Sequence, residues 1–172
     1  MANKQALREL QQRLAQRMQA AREQSQSANW LAVECAGLGL LLPLRQSGEI
    51  FTPVALQPVP YTQPWMLGVA NLRGGLHTVV DLAAFLGLRA ASVPGAAQRL
   101  VSLNTELGVN CALLVDQLLG LRGDEQLQPE PEQPGHPDFA PARMRDAQGR
   151  RWQVLDLEAL SQHPQFLRIV LN

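Results

Sequence analysis

Charge is scarce in this chain. Lys, Arg, Asp and Glu supply only 17% of its 172 residues, and fifteen bases cancel fifteen acids. With 46% apolar residues, so low a charge excludes an intrinsically disordered chain. The zero balance weighs against nucleic acid as a partner, because a binder of phosphate normally carries a basic excess or stripe. Cysteine is scarcer still. Cys35 and Cys111 both sit among apolar neighbours, so two reduced, buried thiols are expected rather than a disulfide framework. No apolar run approaches the roughly 20 residues of a membrane helix, and the polar N-terminal stretch lacks the apolar segment of a signal peptide. A cytoplasmic protein without direct membrane insertion is expected.

Catalytic constellations are missing too. The histidines His77, His136 and His163 fall one to a region, and no Cys or His pair has ligand spacing, so no metal is expected. GVANLRGG lacks the GK[ST] ending of a phosphate loop, and no cofactor motif occurs. The trio Cys111, His77 and Asp81 is the one arrangement resembling a nucleophile with its base. Cys111, however, lies mid-way along an apolar strand, where a thiol usually packs. No catalytic residue is assigned, and an enzyme is not expected.

What is present is organised. Leu7, Leu10, Leu14, Met18 and Ala21 recur at helical spacing, which predicts a helix over 3–24 with one narrow apolar stripe and no aromatic residue. It either packs back on the domain or serves a partner. Ser25 to Asn29 reads as its stop and a linker, so residues 1–28 form an N-terminal unit with a net charge of +3. Segment 124–138 is acidic, so the two either attract each other or face different partners. From Trp30 the chain turns to short apolar runs divided by Gly, Pro and Asn. WLAVEC and LGLLLPL flank a tight turn at Ala36-Gly37, and GEIFTP is a third strand. The four prolines of 53–64 make a loop. PWMLGVANL is expected as a short helix, followed by a strand over 76–80 and a short helix over 81–87. Strand pairs are expected at 99–116 and 139–157, with a C-terminal helical tail over 162–172 broken near Pro164. Many short strands with small helical insertions indicate an all-β barrel or sandwich, and two small barrels side by side over 29–161 fit the spacing.

Two groups of side chains stand out. Asp81, Asp116 and Asp156 each follow an apolar pair and precede Leu or Gln-Leu, which predicts structural caps at strand ends. Arg73 is followed by Gly74 and Gly75, so the backbone can turn sharply and hold the guanidinium outward. Its expected partner is Glu49, either as a plain ion pair or as part of a planar fork offered to another protein.

LGVANLRGGLHTVVDLAAFLGL resembles the central signature of the CheW-like family of chemotaxis coupling proteins. LLLPLRQSGEI, ALLVDQLLGL and WQVLDLEAL resemble further family segments in the right order, with Glu49, Asp116 and Asp156 matching. The N-terminal helix and the PW-x-x-GVAN-x-RG form are similar to the pilus-associated branch that serves twitching motility. The resemblance implies two five-stranded, SH3-like β-barrels with short helices. It implies a non-enzymatic adaptor held between the cytoplasmic tip of a chemoreceptor and the regulatory domain of a histidine kinase. The implied receptor-facing residues are Glu49, Asn71, Arg73 and Gly74. The sequence departs from the family pattern at Thr78, where proline is common, and at Ser47-Gly48, where V-R usually precedes the acid. The alternative from the residues alone is a small nucleic-acid-binding barrel.

Overall fold

A computed structural model of the chain describes residues 2–171. Helix α1 (Ala2–Ser27) runs directly into strand β1 (Ala28–Cys35), so the expected linker is absent. Ser and Asn weaken a helix far less than Gly or Pro would, and neither of the latter occurs before Gly37. Ala36 and Gly37 are both left-handed, at φ 49° and 80°, which is the backbone of a type I′ hairpin turn. That turn pairs β1 with β2 (Leu38–Pro43). The chain continues through β3 (Ser47–Phe51), the proline-rich loop, β4 (Met66–Leu72), β5 (Gly75–Asp81) and the single-turn α2 (Leu82–Phe85). After the loop 89–98 come β6 (Arg99–Leu103), β7 (Cys111–Val115), β8 (Gln117–Gly123) and β9 (Leu127–Pro129). The last hairpin is β10 (Ala142–Asp146) with β11 (Arg151–Val154), followed by α3 (Leu157–Gln162) and α4 (Pro164–Leu167).

The fold is mostly β, in two sheets with few helices. The sheets have six strands, in the order β8-β1-β2-β11-β10-β9, and five, in the order β3-β6-β7-β5-β4. They are not successive halves of the chain, as the even strand spacing suggested. The chain leaves the first sheet after β2, builds the whole second sheet, and returns at β8. The return is sealed by the parallel pair β2–β11, and the second sheet contains its own parallel pair β5–β7.

The stretch expected as a helix after Pro64 is strand β4. Its exposure alternates, with Met66, Gly68, Ala70 and Leu72 buried and the residues between them less so. Leu67 and Val69 are themselves apolar, because they pack under the proline-rich loop, and this hid the period of two. Gln57 exchanges both backbone hydrogen bonds with Val69, at 2.8 and 2.9 Å.

Three apolar clusters hold the molecule. The largest joins Leu31, Val33, Leu40 and Leu42 of the first sheet to Val80, Val101, Leu113 and Val115 of the second, with Leu155, Leu157 and Leu160. On the opposite face of the five-stranded sheet lie Ala70, Leu72, Val79, Leu100 and Leu114, and on that of the six-stranded sheet Ala32, Leu41, Trp152 and Val154. Central strands are thus buried on both faces, which is why their sequences read as continuous apolar runs. By contrast Leu7, Leu10, Leu14 and Met18 of α1 are 52–59% exposed, so that stripe does not pack back on the body. Two acids of the segment 124–138 meet groups outside α1. Asp124 accepts from Asn29 and from the Trp30 indole, and Glu130 pairs with Arg145 and Arg151. Among the described residues no helix is long and apolar enough to cross a membrane.

Candidate functional site

The site grows from a turn. β4 and β5 are joined by Arg73 and Gly74, at φ 50° and 79°, again a two-residue turn with both residues left-handed. Glycine accepts that conformation freely, whereas an L side chain in it costs on the order of 1–2 kcal/mol. Nothing stands near the place a Cβ would occupy on Gly74, so the angle and not space calls for glycine there. Asn71 locks the turn, its Oδ1 accepting from the Gly74 N–H at 2.9 Å.

Held this way, Arg73 forms an ion pair with Glu49, Nε to Oε2 at 2.8 Å, with the two side chains 77% and 52% exposed. The pair links β3, one edge strand of the five-stranded sheet, to the turn that ends β4, the other edge. Glu49 is fixed from behind by Ser102. The Ser102 hydroxyl accepts from the Glu49 N–H at 2.8 Å and donates to the Glu49 carbonyl at 3.2 Å. This explains Gly48: a Cβ there would run into the Ser102 hydroxyl and the Leu103 carbonyl. Ile50 and Leu76 lie exposed next to the pair in sequence and register. A groove of about 350 Å³ lined by Gly48, Glu49, Arg73, His77 and Ser102 opens between these elements.

An exposed ion pair contributes only about 0–1 kcal/mol, which does not offset a left-handed arginine. The ion pair leaves N–H groups of the guanidinium for other acceptors. The arrangement therefore presents a fork of donors at the tip of the β4–β5 hairpin, with exposed Ile50 and Leu76 nearby.

The three aspartates are elsewhere. Asp81 caps α2 by accepting from the Ala84 N–H, and Asp156 caps α3 by accepting from the Ala159 N–H. Asp116 accepts from the Ala36 N–H at 2.6 Å. Sequence reasoning missed the shared partner of Asp81 and Asp116. Arg89 bridges fully buried Asp81 at 2.7 Å and Asp116 at 2.9 Å. Its signal was faint: one base in an otherwise neutral Ala-Ser-Pro-Gly loop. Buried Gln46 was missed as well; it accepts from the Leu157 N–H and donates to Asp156, tying the turn after β2 to the start of α3.

Cys111, His77 and Asp81 do not converge. Cys111 faces the large cluster between the sheets, on the same side as Val80. His77 has the alternation of Val79, on the opposite side, and its Nδ1 meets the Gly75 carbonyl. Burial pushes both thiols up to about 12, far from a reactive thiolate. No cluster of His, Cys, Asp or Glu among the described residues has the form of a metal site.

Residues 29–165 match the CheW-like domain. Over 165 residues the chain is 30% identical to Protein PilI of Pseudomonas aeruginosa, covering 92% of this chain and 89% of that one. It is 38% identical over 76 residues to a probable chemotaxis protein CheW of Rhizobium etli, covering 43% and 48% respectively. The scaffolding protein TtCheW of Thermoanaerobacter tengcongensis has a similar fold. Its TM-score is 0.68 at 19% identity, over 85% of this chain and 99% of that one.

Proposed function

The chain belongs to the CheW-like domain family, and from that premise we propose that it is a non-enzymatic cytoplasmic adaptor coupling a chemoreceptor tip to the regulatory domain of a histidine kinase. The identity with PilI favours a chemosensory pathway acting on type IV pili and twitching motility. Each sheet is taken as an SH3-like barrel. Both sheets have an apolar cluster on either face, and in the five-stranded one an ion pair spans from edge to edge. The kinase contact is barrel to barrel. The receptor contact uses Glu49, Asn71, Arg73 and Gly74.

One observation carries the reading: an arginine held left-handed and exposed, in a turn that glycine would fill with less strain. Such strain is found at sites of recognition, where it presents a group to a partner. Asn71 and Gly74 form the turn, Glu49 aims the guanidinium, and Ile50 with Leu76 supplies apolar contact. Contacts of this kind bury less than about 1,200 Å² and bind in the micromolar range, and an array that engages both partners raises their effective strength.

The test uses Arg73→Gly, which keeps the turn and removes the fork, and Glu49→Arg, which reverses the aiming charge. With the cytoplasmic fragment of the cognate receptor as bait, both variants are expected to lose capture at least tenfold, with the melting temperature of Arg73→Gly no lower than the parent's. Full capture by both would remove the site. Absence of capture by the parent chain as well would remove the function.

A further inference from the structure

The family match begins at residue 29, so nothing in the shared domain accounts for α1. The helix meets the body beside β8, where it runs into the first sheet. Its apolar stripe of Leu7, Leu10, Leu14 and Met18 is more than half exposed at every position. The charges around that stripe are ordered. At 3.6 residues per turn, Arg13 and Arg17 lie along one margin and Lys4 and Arg22 along the other, while Arg8 lies further round and Glu9 and Glu23 fall on the far face. Four bases thus border the stripe and both acids are kept away from it.

We infer that α1 is a docking helix for an acidic amphipathic helix of a partner protein, one with an apolar seam bordered by Asp and Glu. The charge pattern selects this occupant. A second copy of α1 would set basic margins against basic margins, and like charges across a helix pair oppose association. A membrane surface would also attract the bases. An interfacial helix, however, needs a broad apolar face with aromatic or bulky anchors, and this stripe is one leucine wide and has no aromatic residue. A narrow seam with charged margins is what a helical partner requires, since the apolar line supplies area and the flanking pairs choose the partner. The inference does not depend on the receptor and kinase reading, because α1 and the Arg73 turn are separate surfaces.

The test titrates the full chain with two labelled synthetic helices, both with leucine along the seam, one flanked by glutamate and one by lysine. The Glu-flanked helix is expected to bind in the micromolar range and the Lys-flanked helix at least tenfold more weakly. Leu10→Asp with Leu14→Asp should abolish binding, while the melting of the β body stays unchanged, since neither side chain packs on it. Arg13→Glu with Arg17→Glu should shift the preference towards the Lys-flanked helix. Three results would overturn the inference: equal binding of the two helices, a concentration-dependent dimer that Leu14→Asp dissolves, or binding to anionic phosphatidylglycerol vesicles without binding to either peptide.

Discussion

Arg73 and Arg89 are both paired arginines, yet their surroundings give them opposite weights. Arg73 meets Glu49 in water, where screening and side-chain entropy cancel most of the attraction, so its value lies in what it presents. Arg89 reaches a carboxylate with no exposed surface at all, Asp81, and the same guanidinium holds Asp116. Without Arg89, the Asp81 charge would keep only the long backbone contacts from Ala84 and Ser92, both at 3.3 Å. Leaving a buried charge unpaired costs several kcal/mol, reduced here because Arg89 is itself a quarter exposed. Arg89→Met is therefore expected to lower stability by about 3 kcal/mol. A urea denaturation curve checks this, and a midpoint equal to the parent's would show that the bridge is not holding the 89–98 loop.

At the scale of elements, β4 shows how a strand can be stiffened by a loop that has none of its own secondary structure. The pairing register shifts between Met66 and Gly68, and Gly68 takes φ +145°, in the region that favours glycine. A Cβ there would meet the Gln57 carbonyl at 2.5 Å, the same carbonyl that accepts from the Val69 N–H. Gly68→Ala thus opposes both the backbone angle and the docking of the proline-rich loop, and a loss of about 2 kcal/mol is expected in thermal or urea unfolding. Alanine tolerated with no loss would mean that the loop lifts freely from β4. This same element was the one misread in the sequence, because a loop covering Leu67 and Val69 makes the outer face apolar too. Hairpins whose two strands adjoin, such as β1–β2, β6–β7 and β10–β11, were legible from their turns and alternation. The pairing of β2 with β11, and hence the interleaving of the sheets, was not, because nothing local records a partner so distant in the chain. The site divides in the same way. Gly74-Gly75 announced the Arg73 turn and its ion pair, while Ser102, Gln46 and Arg89 act through contacts that only the tertiary fold creates.

On the scale of the whole molecule, Asp116 stands where the chain crosses from β7 in one sheet to β8 in the other. It gathers the Ala36 N–H from the first sheet and Arg89 and Gln98 from the loop before β6. Burial alone would raise its pKa, but those three donors outweigh it and hold the carboxyl below its ordinary value. Asp146 behaves alike: burial opposes ionisation, and the Trp152 indole with the Arg150 and Gln148 N–H groups overcomes it. Glu130 is lowered first by its hydrogen bond from Arg145. In all three the folded state binds its proton less readily than the unfolded chain, whose carboxyls titrate near 4. Their contribution is therefore present in full above about pH 4 to 5 and is lost as the pH falls through the folded values below that range. Urea midpoints are expected to be flat from pH 7 to about 5 and to fall steeply towards pH 2. Asp116→Asn separates this residue from the rest. The amide keeps the size but loses the charge facing Arg89, so the variant should be about 2 kcal/mol less stable at pH 7 and should descend less steeply in acid. If its acid limb runs parallel to the parent's, Asp116 does not carry the coupling between the sheets, and the acid sensitivity belongs to the β9–β11 face around Glu130 and Asp146.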